Sequence, residues 1–215
     1  RHTRSLCDWS SDVCSSDLGT CLASWIESST NGQEVFCRLG SGTEVSLGAG
    51  SRSQVARLGN GSGAVLWNEG GEFRFLLMDG LSQGPTLVLH DLGVAVDDWK
   101  ASIQLDGSLQ LVAVSGMVIH YVHANLISRV VDLVGSQRQT GGMISDLELD
   151  AIAGDSWKAS WLQDGTIRLG IMDSTQLVTE DTGIEAIDHS MSLDVAANVH
   201  MAVLRNDGSI HYQNN

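Results

Sequence analysis

Three features of this sequence predict an all-β fold. Short runs rich in Val, Ile and Leu are separated throughout by Gly, Asp and Asn turns. No long segment keeps a helical apolar period. Glycine occurs 24 times and proline once, at Pro85, a composition that suits many tight turns.

The runs repeat. The clearest unit is Ser190–Tyr212, SMSLDVAANVHMAVLRNDGSIHY: strand, short turn, strand, Asn-Asp-Gly hairpin, strand. Upstream, Ser145–Gly170, Ser102–Val122 and Ser53–Phe75 have the same form, and Cys21–Arg38 is a partial unit. Each carries an alanine on its second strand before the hairpin: Ala23, Ala64, Ala113, Ala159 and Ala202. These alanines recur at roughly 40–50 residues, the size of a four-stranded propeller blade. Fourth strands are expected at Glu44–Leu47, Thr86–His90, Ser128–Val134 and Gln176–Glu180. An alternative register would align the WKAS of Trp99–Ser102 with that of Trp157–Ser160, but it leaves Met117–Ala124 unassigned. The expected architecture is therefore a β-propeller fragment of about five four-stranded blades: 19–50, 51–93, 94–141, 142–186 and 187–215. The first lacks a leading strand and the last a closing one, so the chain is expected to be incomplete at both ends. Blades pack on both faces, so LQLVAV and MVIHYV are expected to be buried on both sides.

Residues 1–18 do not fit this pattern. Asp8–Leu18, DWSSDVCSSDL, has no apolar alternation, and no continuous apolar stretch follows Arg1 and Arg4 as a signal peptide requires. The segment resembles a translated sequencing adapter and is expected to lie outside the fold.

The formal net charge is −14, and removing residues 1–18 leaves it nearly as acidic. Such a surface repels phosphate backbones, so a nucleic-acid partner is not expected. Nor is membrane insertion, since no apolar run approaches the ~20 residues of a spanning helix. Cys21 and Cys37 lie on successive strand-like runs, where either a cross-strand disulfide or two buried thiols is compatible with the sequence.

Candidate site residues are few. Asp146, Glu148 and Asp150 alternate, which would place them on one face of a first strand, and Asp194 follows Leu193 as Asp150 follows Leu149. Such a carboxylate cluster would suit Ca²⁺; the competing reading is a solvated strand end, with no cofactor. His120 and His123, three apart on a strand, point to opposite faces. For His200 and His211 the sequence is compatible with a pair facing each other across the last hairpin, and the preferred reading is partly buried polar spacers. Trp25, Trp67 and Trp161 follow their blade alanines and read as packing between blades, or as sugar-stacking platforms. Trp99, beside Asp97 and Asp98, is the lone aromatic candidate for a ligand contact; the competing reading, and the preferred one, is burial. No phosphate-binding glycine loop, G-x-S-x-G or H-E-x-x-H is present.

VHMAVLRNDGSIHY and SWKASWLQDGTIRLG resemble blades of secreted sialidase-like and lectin-like propellers, although the S-x-D-x-G-x-T-W box of sialidases is missing. The resemblance implies a secreted or cell-surface location. The expected function is a non-catalytic extracellular module that binds carbohydrate or protein. The alternatives are part of a sialidase-like glycoside hydrolase and a structural domain of a large surface protein. Sialic acid would need converging cations, for which Arg129, Arg138, Arg168 and Arg205 are the candidates.

Overall fold

The computed structural model describes residues 22–30, 32–79, 82–151, 157–172 and 176–214. The described residues form strands and turns, with no helix. They divide into two compact units, one up to Val94 and one from Ala95 onward. The expectations for residues 1–18 and for Cys21 fall outside the described residues.

The first unit holds two sheets. β1 (Leu22–Ser29), β2 (Gly32–Leu39) and β3 (Val45–Ala49) form a three-stranded meander. The second sheet runs β4 (Ser53–Arg57), β5 (Gly63–Glu69) and β6 (Glu72–Asp79). The short β7 (Ser82–Gln83) and then β8 (Leu87–Asp91) both pair with β6. The two sheets bury Val35, Cys37, Val65, Trp67 and Leu76 in one apolar cluster. Cys37 lies opposite Ser24 across the β1–β2 ladder and is a buried free thiol.

The second unit holds three sheets in chain order. They are β9 (Asp98–Ile103), β10 (Ser108–Ser115), β11 (Val118–Asn125) and β12 (Val130–Arg138); β13 (Ile144–Ala151), β14 (Trp157–Gln163), β15 (Thr166–Met172) and β16 (Leu177–Glu185); and β17 (Asp188–Leu193), β18 (Val199–Leu204) and β19 (Ile210–Asn214). Every neighbouring pair is antiparallel. The first strands lie side by side, β13 between β9 and β17.

The second strands explain the packing. Leu109–Val114 of β10 is buried without a break, as a strand packed on both faces must be. One apolar cluster joins Val112 and Tyr121 to Leu147, Trp157 and Trp161, and another joins Leu162, Ile167 and Leu169 to Met191, Val199 and Met201. The outer strand β12 instead alternates between exposed and half-buried residues along its second half. Ala64, Ala113, Ala159 and Ala202 lie on the second strands β5, β10, β14 and β18. The two WKAS segments fall on a first strand, β9, and a second strand, β14, so the match does not mark equivalent strands. Small residues sit where aromatic rings cross: Ala113 is opposite Trp99, and a Cβ on Gly135 would fall 2.3 Å from the Tyr121 ring.

The turns are of two kinds, where the sequence suggested one. Asp164-Gly165 is a two-residue hairpin with φ of 54° and 74°, the tight form in which both residues are left-handed. Asp207-Gly208 sits in a longer loop. Arg205 donates its N–H to the Ser209 carbonyl at 3.0 Å and Gly208 donates to Arg205 at 2.9 Å, and of the two residues only Gly208 has positive φ, 80°. Ser209 explains the difference: its backbone N–H and its hydroxyl both donate to Asp207 Oδ1, at 2.9 and 2.5 Å. The same clamp recurs at Asn60-Gly61-Ser62 and Asp106-Gly107-Ser108.

Candidate functional site

The acidic row is broken by a bulge. Pairing of β13 with β14 shifts between Ser145 and Glu148, and Asp146 takes a left-handed φ of 52°. The three carboxylates therefore do not converge. Asp146 Oδ2 accepts the His189 N–H at 2.9 Å, and Asp150 Oδ2 accepts the Leu193 N–H at 2.8 Å. Glu148 turns the other way, 3.3 Å from Lys100 Nζ on β9.

The direction of these bonds has a physical reason. β17 is the edge strand of its sheet, so its outward N–H groups have no ladder partner, and a buried donor left unpaired is costly. Asp146 and Asp150 supply the missing acceptors. Lys158 makes the same kind of stitch, donating to the Ala197 carbonyl at 2.9 Å. The carboxylate pattern of this strand is therefore committed to joining sheets. Among the described residues no group of three His, Cys, Asp or Glu side chains is arranged to hold a metal ion.

Asp194 stands apart, in the β17–β18 turn. Its Oδ1 accepts N–H groups of Ala196 and Asn198 at 2.8 and 2.9 Å, and its Oδ2 accepts Asn198 Nδ2 at 2.8 Å. The Asn198 bonds, above all from its side chain, hold the Asp194 carboxyl well below the usual carboxylate range.

One constellation was not expected from sequence. His189 Nδ1 lies 2.7 Å from Asp146 Oδ2, and His189 Nε2 lies 2.7 Å from Ser160 Oγ. The ionised carboxylate can only accept, so Nδ1 carries a proton, and in the neutral ring Nε2 then accepts from the serine hydroxyl. Burial raises the Asp146 carboxyl, but the His189 bonds outweigh it and leave it below its ordinary value. The order Ser–His–Asp is that of an acyl-transfer triad. Its surroundings differ: Ser160 is 0% exposed and His189 5%. No substrate carbonyl reaches that hydroxyl without opening the packing between β14 and β17. Sequence patterning misses this group because its members lie on three strands and carry no short motif.

Other candidates are placed plainly. Trp99 is 2% exposed, which removes its ring from surface ligands and corrects the expectation of a contact there. Trp67 and Trp161 fill the inter-sheet clusters, whereas Trp25 is half-buried and stacks on Phe36 at 6.1 Å. Burial lowers the pKa of His120, and His123 Nδ1 lies 3.9 Å from Asp132 Oδ2 on β12. His200 and His211 do not face each other, because the 205–209 loop places His211 opposite Val203. Arg129 immediately precedes β12 and Arg138 is its last residue, about 30 Å apart at strand rise, and Arg168 pairs with Asp181 at 2.5 Å. Those arginines do not form one cluster.

No protein-family model matches the chain, and no curated protein does. Among solved structures, the Dos1 propeller matches with a TM-score of 0.53 at 10% identity, over 80% of this chain and 48% of that one. The chain folds as part of a β-propeller. It spans about half the length of the structure it matches. A second structure, BBS1N in complex with ARL6DN and soaked with lead, covers 89% of this chain and 77% of that one at 9% identity. Its TM-score is 0.37.

Proposed function

We propose that this propeller segment is a non-catalytic binding module of a secreted or cell-surface protein, taking an uncharged or cationic carbohydrate or protein ligand. The observation that carries the reading is the burial of Ser160, at 0% exposure. The Ser160–His189–Asp146 constellation, which has the order of a catalytic triad, is closed, and the acidic strand β13 is occupied in joining sheets. Recognition then falls to the outer surface. A net charge of −14 disfavours polyanions there by like-charge repulsion. Fold alone assigns no function, so the resemblance to sialidase-like propellers contributes no catalytic residue.

The test is a glycan array run alongside turnover assays on fluorogenic aryl glycosides, sialosides included. Retention of neutral or amino glycans without turnover is the expected result. Hydrolysis of any of these glycosides, or selective capture of sialylated or uronic-acid glycans, would contradict the reading.

A further inference from the structure

We propose that Asn60 is the acceptor of an N-linked glycan. The proposal rests on the secreted or cell-surface reading and adds a modification site to it. Asn60-Gly61-Ser62 is the one Asn-x-Ser/Thr triplet in the sequence, the pattern that takes N-linked sugars on surface loops of secreted proteins. It lies in the turn between β4 and β5, where Asn60 and Gly61 are exposed and Ser62 is buried. Leu58 donates its N–H to the Ser62 carbonyl at 2.8 Å, and Gly61 donates to Leu58 at 2.9 Å.

The fold uses only half of the Asn60 amide. The Ser62 N–H and hydroxyl both donate to Asn60 Oδ1, at 3.0 and 2.5 Å. That clamp asks for an oxygen acceptor, and the two sister turns supply it from Asp106 and Asp207. A carboxylate is the stronger acceptor, and the serine bonds, above all from the hydroxyls, hold both carboxyls below their ordinary value. The clamp therefore gives no reason for asparagine at position 60. Nor does the backbone, since Gly61 takes the left-handed φ of 85° and Asn60 does not. What asparagine adds is Nδ2, an amide nitrogen outside the clamp on an exposed loop tip. In the transfer step the bond from Nδ2 to the sugar C1 forms as the C1–O bond of a lipid-pyrophosphate-linked oligosaccharide breaks. The lipid pyrophosphate leaves with the electron pair, and one Nδ2 proton passes to a base of the transferase. Oδ1 is untouched, so the glycosylated side chain still accepts both Ser62 bonds.

The experiment is translation of the 215-residue chain, preceded by a signal peptide, in the presence of microsomes. The signal peptide supplies entry, so the result reads the acceptor whatever the natural location. A single mass increase, sensitive to endoglycosidase, should appear and map to Asn60. Asn60→Asp, which keeps the clamp, and Ser62→Ala should both abolish it, and Ser62→Thr should keep it. In chain secreted from cultured eukaryotic cells, trimming the glycan to its first sugar should leave the thermal midpoint in place. An unmodified wild type, or a mass increase that survives Asn60→Asp, would overturn the site and leave the secreted reading standing. A midpoint that rises on trimming would show that the folded turn has no room for the glycan, and would also overturn the site.

Discussion

Ser160 Oγ on β14 lies 2.7 Å from His189 Nε2 on β17, and His189 Nδ1 lies 2.7 Å from Asp146 Oδ2 on β13. Three strands of two sheets are thereby tied through one imidazole. Ser160→Ala leaves a buried ring nitrogen unpaired and should cost about 1–3 kcal/mol. Urea unfolding at pH 7 reads this as a lower midpoint with an unchanged slope. An unchanged midpoint would mean that the relay contributes nothing.

The same relay sets a pH dependence. The folded Asp146 carboxyl is held below its ordinary value of 3.8. A depressed acid contributes stability that is complete above the unfolded value and is lost as pH falls through the folded one. Between pH 6 and 2, wild type should therefore lose stability more steeply than Asp146→Asn, which cannot titrate. Asparagine also tolerates the left-handed backbone at this position. Parallel urea midpoints for the two proteins across that range would contradict the assignment.

Architecture was legible in the sequence, and the site was not. Second strands announce themselves because Leu111–Val114 is apolar on both faces, and Ala113 and Ala159 mark them. Asp146, Glu148 and Asp150 misled because alternation assumes an unbroken strand. One bulge at Asp146 sends the carboxylates to partners on β9 and β17. Ser160 and His189 were invisible for a related reason: their contact joins different sheets, and local patterning does not report inter-sheet register. The acidic neighbours of Trp99 leave a ligand contact and burial both open in the sequence, and its small strand partner Ala113 leaves room for the ring inside.

The recurring Asp-Gly-Ser loop makes a further prediction. Gly107 and Gly208 both have positive φ, 85° and 80°, so alanine at either should cost about 1–2 kcal/mol from backbone strain. At Gly208 a Cβ meets open space, whereas at Gly107 it would lie 2.7 Å from Ile127 Cγ1. Gly107→Ala should therefore be the more destabilising in thermal melts. Equal losses would show that Ile127 moves aside.

Cys37 gives a chemical check on the first unit. Burial pushes its thiol pKa up to about 11, and the reactive species is the thiolate. A disulfide-exchange reagent at pH 8 should leave Cys37 unmodified in the native protein and label it on unfolding in urea, as peptide mapping would show. Rapid native labelling of Cys37 would contradict its placement.

The closed relay is the centre of the functional account. Its most direct test is incubation of the native chain with a fluorophosphonate, which phosphonylates accessible activated serines, followed by intact-mass and peptide analysis. No adduct should form on Ser160. An adduct on Ser160 that disappears in His189→Ala would contradict the account and make the group a working nucleophile.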